Sequence, residues 1–106
     1  MRIALDAMGG DNAPDCVISG ADLSKGHYPH IEMVFFGDAD RIRPLLSRTS
    51  HLRDAEIIHT LESVSADDTA SQAVRRGKST SMWLAIAAVA TGEADAIVSA
   101  GNTGAL

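Results

Sequence analysis

The chain has 106 residues, 45% of them hydrophobic and 22% charged, and its formal net charge is −5. These proportions are typical of a globular protein and exclude the disordered, collagen-like and disulfide-stapled classes. The acidic balance and the 4% of aromatic residues argue against a general nucleic-acid binder.

The first predicted unit is a strand, a glycine-bearing turn and a helix. Residues 3–5 are apolar and predict a strand that ends at Asp6, and residues 7–12 are rich in turn formers. Pro14 suits the first turn of a helix that residues 25–26, a lysine and a glycine, would close.

Two more strands flank a short helix. Apolar residues at 31 and 33–36 predict a second strand, and residues 56–60 predict a third. The helix between them carries the apolar residues Ile42, Leu45 and Leu46. We expect Pro44 in its first turn, because proline has no N–H to donate further along a helix.

Two further helices are predicted in the second half of the chain. Residues 69–72 have the spacing of a capping box, which opens a helix that stops near Gly77. Either Ser79 or Thr80 can cap the next helix, and Gly92 ends it.

This last helix has Met82, Ile86 and Val89 at helical spacing, and residues 96–98 follow it as a fourth strand. Apolar strands that alternate with helices predict an α/β architecture with a mostly parallel sheet covered by helices. A covering helix is expected where the sequence stops at Leu106. We therefore interpret residues 1–106 as the amino-terminal part of a larger domain, or as a protomer that covers an open sheet edge by self-association.

No targeting or membrane-spanning segment is predicted. Asp6 follows the first apolar residues too closely for a signal peptide, and the most apolar run, residues 82–90, is far shorter than the roughly 20 residues of a membrane helix. We therefore expect a cytoplasmic protein.

Two glycine-bearing loops are candidate sites. In parallel sheets, ligands bind beyond the carboxyl ends of the strands, which places the loops after Asp6 and Ser99 at the expected position. Glycines at 9–10 and 101 let the backbone approach a ligand and direct N–H groups at an anion. The alternative interpretation is that these glycines only allow tight turns.

A basic cluster at residues 75–81 is a third candidate. Three cations precede three hydroxyl residues at a helix start, an arrangement that can hold a phosphate. The alternative is an ordinary helix end, whose dipole favours cations, followed by an ordinary N-cap.

Other chemical patterns are weaker. The glycine spacing after Ser99 lacks the first glycine of a dinucleotide fingerprint, and residues 77–79 lack the earlier glycine of a P-loop. Asp6 and Asp11 without further ligands nearby are a weak metal signal, and the four histidines show no metal-binding spacing. Cys16 lies beside apolar residues, so we expect it to be buried rather than catalytic.

Four stretches carry a family resemblance: residues 2–11, residues 71–76, the pair Ser81-Met82 and residues 98–106. They closely resemble the PlsX family, the acyl-carrier-protein:phosphate acyltransferases of bacterial phospholipid synthesis, and the resemblance runs in register along the whole chain. It implies a three-layer α/β/α fold like that of phosphotransacetylases and isopropylmalate dehydrogenases. It also implies a homodimeric cytoplasmic enzyme that works close to the membrane, beside partner enzymes of phospholipid synthesis.

The implied reaction is the attack of inorganic phosphate on the thioester of a long-chain acyl carrier protein, which gives acyl phosphate and free carrier. Such an enzyme needs N–H groups and cations around an anionic nucleophile and a developing oxyanion, more than it needs a protein nucleophile. We expect neither a cofactor nor a metal.

Roles for individual residues are our inference within this resemblance. We assign Asp6 and Asp11 to orientation of the loop after the fourth strand or to a proton transfer, and Asn102 to the oxyanion, and count these three as catalytic. The expected substrate-binding residues are Gly9, Gly10, Arg76, Lys78, Ser79, Ser81, Ser99, Gly101, Thr103 and Gly104.

The chain departs from the family pattern at Ala66, Thr69 and Ala70, where the family usually has a methionine, a lysine and a proline. Family members also place further site residues beyond Leu106, so we expect the fragment alone to be inactive. Two other hypotheses stay open: a non-catalytic scaffold that binds carrier protein, and a phosphotransacetylase-like enzyme that uses coenzyme A.

Overall fold

The computed structural model describes residues 1–10, 12–61 and 80–100. Strands and helices alternate through this part of the chain, as the sequence predicts, and the helix expected between residues 69 and 77 lies outside it. In chain order the elements are β1 (Arg2–Asp6), α1 (Asp15–His27), β2 (Glu32–Gly37), α2 (Ala39–Leu46), β3 (Glu56–His59), α3 (Ser81–Ala90) and β4 (Ala96–Val98).

The strands form one parallel sheet in the order β3-β2-β1-β4. On the central strand β1, Leu5 pairs with Phe35 of β2 on one side and with Val98 of β4 on the other. The prediction of an α/β fold with a mostly parallel sheet is confirmed. Because all strands run the same way, their carboxyl ends share one edge of the sheet.

Helices cover both faces of this sheet. Leu5 and Phe35 point to the side of α1 and α2, where they pack with Ile18 and Ile42. Their neighbours Ala4, Val34 and Phe36 point to the opposite side and pack with Ala85 and Ala88 of α3. This alternation follows from the two-residue period of a strand, and it gives the three layers that the resemblance implies.

Helix ends follow the predicted signals. Thr80, one of the two expected caps, is the N-cap of α3, and its hydroxyl accepts a hydrogen bond from the Trp83 N–H at 3.1 Å. Gly92 follows the helix with φ +82°, a backbone conformation that favours glycine. None of the helices in the described ranges has the length and apolar content needed to cross a membrane.

The position of Pro44 corrects the expectation that it lies in the first turn of its helix. The helix begins at Ala39, so Pro44 lies well past the first turn. The N–H that proline lacks would have bonded to the carbonyl of Asp40. Both residues are exposed, so water can satisfy that carbonyl.

The burial prediction for Cys16 also needs correction. Cys16 is exposed rather than buried, because α1 packs Ile18 and Ala21 into the core and leaves Cys16 at an open cavity beside the helix. On α3, Ala85 and Ala88 are buried together with Met82, whereas Ile86 and Val89, which follow Met82 at helical spacing, are only partly buried. Since nearly every residue of α3 is apolar, its sequence pattern does not select a face.

Candidate functional site

The strand order of the sheet reverses between β1 and β4, so the carboxyl ends of these two strands flank a topological switch point. From β1 the chain crosses to β2 on one side, whereas β4 joins the sheet on the other side of β1. Open α/β sheets bind ligands in the crevice at such a point. Asp6 is the last residue of β1, and Ser99 directly follows β4, so both lie at this crevice.

Asp6 is the centre of a hydrogen-bonded cluster. Its carboxylate is 2% exposed. The Ser81 hydroxyl donates to Oδ1 at 2.5 Å, the Ser99 hydroxyl donates to Oδ2 at 2.9 Å, and the Met8 N–H donates to Oδ1 at 3.2 Å. The cluster therefore ties together the end of β1, the start of α3 and the residue after β4.

The charge of Asp6 is compensated without an ion pair among the described residues. The ion pairs of this part of the chain join Arg2 to Glu32 and Glu56, at the opposite edge of the sheet. Asp6 instead contacts Ser81, the first residue of α3, and the amino end of a helix carries partial positive charge. Helix dipole and hydrogen bonds together allow this carboxylate to be buried.

The loop after β1 packs closely against the residues around it. Gly10 has φ +98°, and a Cβ placed on it would lie 3.3 Å from the Cβ of Ala100, so the loops after β1 and β4 are in contact. Met8 packs over Gly37, where an added Cβ would lie 2.6 Å from Met8 Cγ. These contacts fix the backbone whose Met8 N–H reaches Asp6.

Five of the expected site residues lie at this edge of the sheet, in the part of the chain that the structure describes. Asp6, Gly9, Gly10 and Ser99 line one cavity, and Ser81 joins them through Asp6. In residues 1–10, 12–61 and 80–100, no three His, Cys, Asp or Glu side chains converge as a metal site requires. The other expected residues, Asp11, Arg76, Lys78, Ser79, Gly101, Asn102, Thr103 and Gly104, lie outside the described residues.

Two contacts of the cluster were not predicted from the sequence. The Ser81 hydroxyl, expected to bind substrate, donates to Asp6 across 75 positions of the chain. The missing side chain of Gly37, at the end of β2, makes room for Met8. A glycine at the carboxyl end of the strand beside β1 was the available signal for this close approach.

Comparisons with known proteins show the family of this chain. The chain matches the family described as fatty acid synthesis protein over residues 1–106. It is 56% identical to a phosphate acyltransferase of Parvibaculum lavamentivorans and 53% identical to one of Paramagnetospirillum magneticum, in both cases over 100% of this chain and 30% of the relative. A third phosphate acyltransferase, from Rhodospirillum centenum, is 51% identical over 98% of the chain. The chain thus spans about 30% of the length of these curated relatives. The resemblance stated from the sequence is confirmed, and the chain belongs to the fatty acid synthesis protein family.

Proposed function

We propose that residues 1–106 form the amino-terminal part of an acyltransferase domain. The enzyme transfers a long-chain acyl group from acyl carrier protein to inorganic phosphate, for use in phospholipid synthesis. It is a homodimer that works in the cytoplasm close to the membrane, beside the enzymes that consume its product. Family membership and the names of the relatives support the reaction class.

The observation that carries the proposal is the Asp6 cluster at the crevice between β1 and β4. Three hydrogen bonds hold a buried carboxylate at the place where parallel sheets bind ligands. The loop with glycines at 9–10 lies beside it, together with Ser99 and Ala100 after β4. Backbone N–H groups of glycine-bearing loops suit the binding of an anion, and Asp6 holds the segments from which these loops extend.

The geometry favours a positioning role for Asp6 over proton transfer. Both of its oxygens already accept hydrogen bonds, and it is 2% exposed, so a substrate has little access to it. By holding Ser99, Asp6 fixes the start of the loop that contains Asn102. In this proposal that loop, with its glycines and Asn102, contacts the phosphate and the thioester oxygen.

The reaction requires few protein groups. A phosphate oxygen attacks the thioester carbonyl, the new C–O bond forms, and the C–S bond breaks. The proton lost by the phosphate goes to the sulfur of the carrier. Asn102 stabilises the oxyanion, while Arg76, Lys78 and Ser79 hold the phosphate or the acidic carrier protein.

The test is acyl phosphate formation from palmitoyl carrier protein and inorganic phosphate, measured for the full-length protein and for residues 1–106. We expect turnover by the full-length protein and none by the fragment. Ser99→Ala removes a hydroxyl that binds Asp6, and we expect it to lower kcat/KM by about tenfold or more. The matched control is Ser50→Ala, at an exposed serine near the other edge of the sheet.

Different outcomes identify the alternatives. Turnover of palmitoyl coenzyme A, with none of the carrier-protein substrate, would identify a phosphotransacetylase-like enzyme. Binding of carrier protein by the full-length protein, without turnover of either donor, would identify a scaffold. Equal activities for the two serine variants would remove the Asp6 cluster from the site.

A further inference from the structure

An apolar groove leads away from the Asp6 cluster. It lies between α1 and the sheet, with a volume of about 680 Å³. Asp6, Gly9 and Ser99 line its mouth at the carboxyl edge of the sheet, and Tyr28 and Ile31 line its far end.

Apolar side chains form the floor of the groove, and small residues of α1 form one wall. Leu5 and Met33 of the sheet lie in the floor together with Val98, whose side chain is 52% exposed. On α1, Gly20 leaves the wall open, since a Cβ placed there meets nothing within 4 Å. Among the described residues that line the groove, Asp6 at the mouth is the only one with a charged side chain.

From these features we infer that the groove binds the acyl chain of the substrate, with the reacting carbonyl at the Asp6 cluster and the chain directed toward Tyr28. This inference rests on the proposed function and adds a location and an orientation for the chain. An unbranched hydrocarbon is the occupant that fits an uncharged groove, because each methylene that leaves water contributes to binding.

Length and continuity support this occupant. The groove runs along α1, whose 13 residues span about 20 Å at 1.5 Å per residue, comparable with an extended long-chain acyl group. It is also continuous with the glycine-bearing loop after β1, so one ligand can place an anionic head at the backbone of this loop and a tail in the groove. The cavity at the other edge is lined by Arg2, Lys25 and Arg53 and offers no such apolar path.

Cys16 provides a direct probe, because it is the only cysteine of residues 1–106, is exposed and lines the groove. The full-length protein is treated with a maleimide, and labelling at Cys16 is followed by peptide mass spectrometry. A hexadecyl phosphonate, a stable mimic of acyl phosphate, is expected to slow labelling by about tenfold at saturation, since the bound form is protected. Methyl phosphonate is expected to leave the labelling rate unchanged.

A variant fills the groove from the helix side. Gly20→Leu adds a side chain into open space, and we expect it to weaken hexadecyl phosphonate binding by about tenfold, because it takes the volume of several methylenes. Methyl phosphonate binding should not change. Ser19→Leu is the matched control, since Ser19 is the exposed neighbour on α1 and does not line the groove.

Each outcome decides the inference. Equal protection by both phosphonates, or equal effects of the two leucine variants, overturns it. Failure of Cys16 to react in the ligand-free protein also overturns it, because another segment then fills the groove. If Gly20→Leu turns over long-chain substrate normally, the groove does not bind the acyl chain, and the proposed function is unaffected. If the long-chain phosphonate protects Cys16 but the full-length protein shows no turnover, the groove binds an acyl chain and the proposed function is wrong.

Discussion

The Asp6 carboxylate joins the end of β1, the start of α3 and the residue after β4 through its hydrogen bonds. A buried carboxylate is costly unless it is hydrogen-bonded, and here two hydroxyls and a backbone N–H provide those bonds. Asp6 was recognisable in the sequence because an apolar strand ends there. Its partners Ser81 and Ser99 were not, since they are 75 and 93 positions away along the chain.

Replacement of this carboxylate by an amide of the same size tests the importance of its charge. We expect Asp6→Asn to lower the free energy of unfolding by about 1–3 kcal/mol, because charge-assisted hydrogen bonds to buried donors are replaced by weaker ones. Chemical denaturation measures this change. Asp54→Asn, at an exposed aspartate, is the control and should be nearly neutral. Equal stabilities of the two variants would contradict our account of the cluster.

Gly37 is a positioning residue for the loop after β1. A Cβ at this site would lie 2.6 Å from Met8 Cγ and 2.9 Å from Ile42 Cδ1, and Ile42 is fully buried. We expect Gly37→Ala to destabilise the protein by about 1–3 kcal/mol through overpacking. Gly20→Ala has open space and should stabilise α1 by about 0.5–1 kcal/mol. Thermal unfolding should show a lower Tm for Gly37→Ala and a higher Tm for Gly20→Ala. A higher Tm for both would show that Met8 moves away at no cost in stability.

Asn102 lies outside the described residues, so its proposed role is argued from the sequence alone. An amide N–H can stabilise an oxyanion, and asparagine also tolerates a left-handed turn. Asn102→Asp keeps the turn preference and places a negative charge beside bound phosphate. We expect kcat/KM to fall by about 100-fold or more with nearly unchanged thermal stability. A loss of activity that only follows a loss of folded protein would identify the loop as a structural turn.

At the scale of elements, end signals were more informative than burial patterns. The cap at Thr80 and the stop at Gly92 are local features that the sequence shows directly. The buried face of α3 was not predictable, because its apolar residues surround the whole helix and contact with the sheet selects the alanines. The position of Pro44 depended in the same way on solvent exposure, which the sequence does not show.

The cap of α3 connects helix stability to the site. Thr80 accepts a hydrogen bond from the Trp83 N–H, and the next residue, Ser81, binds Asp6. We expect Thr80→Ala to cost about 1 kcal/mol of stability, as loss of an N-cap does, and to lower activity by displacing Ser81. Thr80→Ser retains the hydroxyl and should preserve both properties. Equal Tm and kcat/KM values for the alanine and serine variants would show that the Thr80 hydroxyl contributes neither to the stability of α3 nor to the position of Ser81.

For the whole molecule, alternation of strands and helices predicted the parallel sheet, but the strand order became visible only in the structure. The order β3-β2-β1-β4 places β4 beside β1 although the two are far apart in sequence. That pairing brings Asp6 and Ser99 together and creates the groove along α1. The positions of Asp6 and Ser99 at strand ends were predictable from the sequence, whereas their contact depended on long-range packing.

Docking of an acidic partner depends on where the cations of this part of the molecule lie. Residues 1–106 carry −5, so in the proposed function they repel an acidic carrier protein except at a local basic patch. Residues 75–78 supply three of the nine cations. We expect Arg76→Glu in the full-length protein to raise the KM for carrier protein or for phosphate by roughly fivefold at low salt, and less at high salt, because ions screen this interaction. Arg48→Glu makes the same charge change at an exposed arginine after α2 and should have little effect. An equal rise in KM for both variants would show that total charge, rather than this patch, controls docking. An unchanged KM in both would show that residues 75–78 are an ordinary helix end with no part in docking.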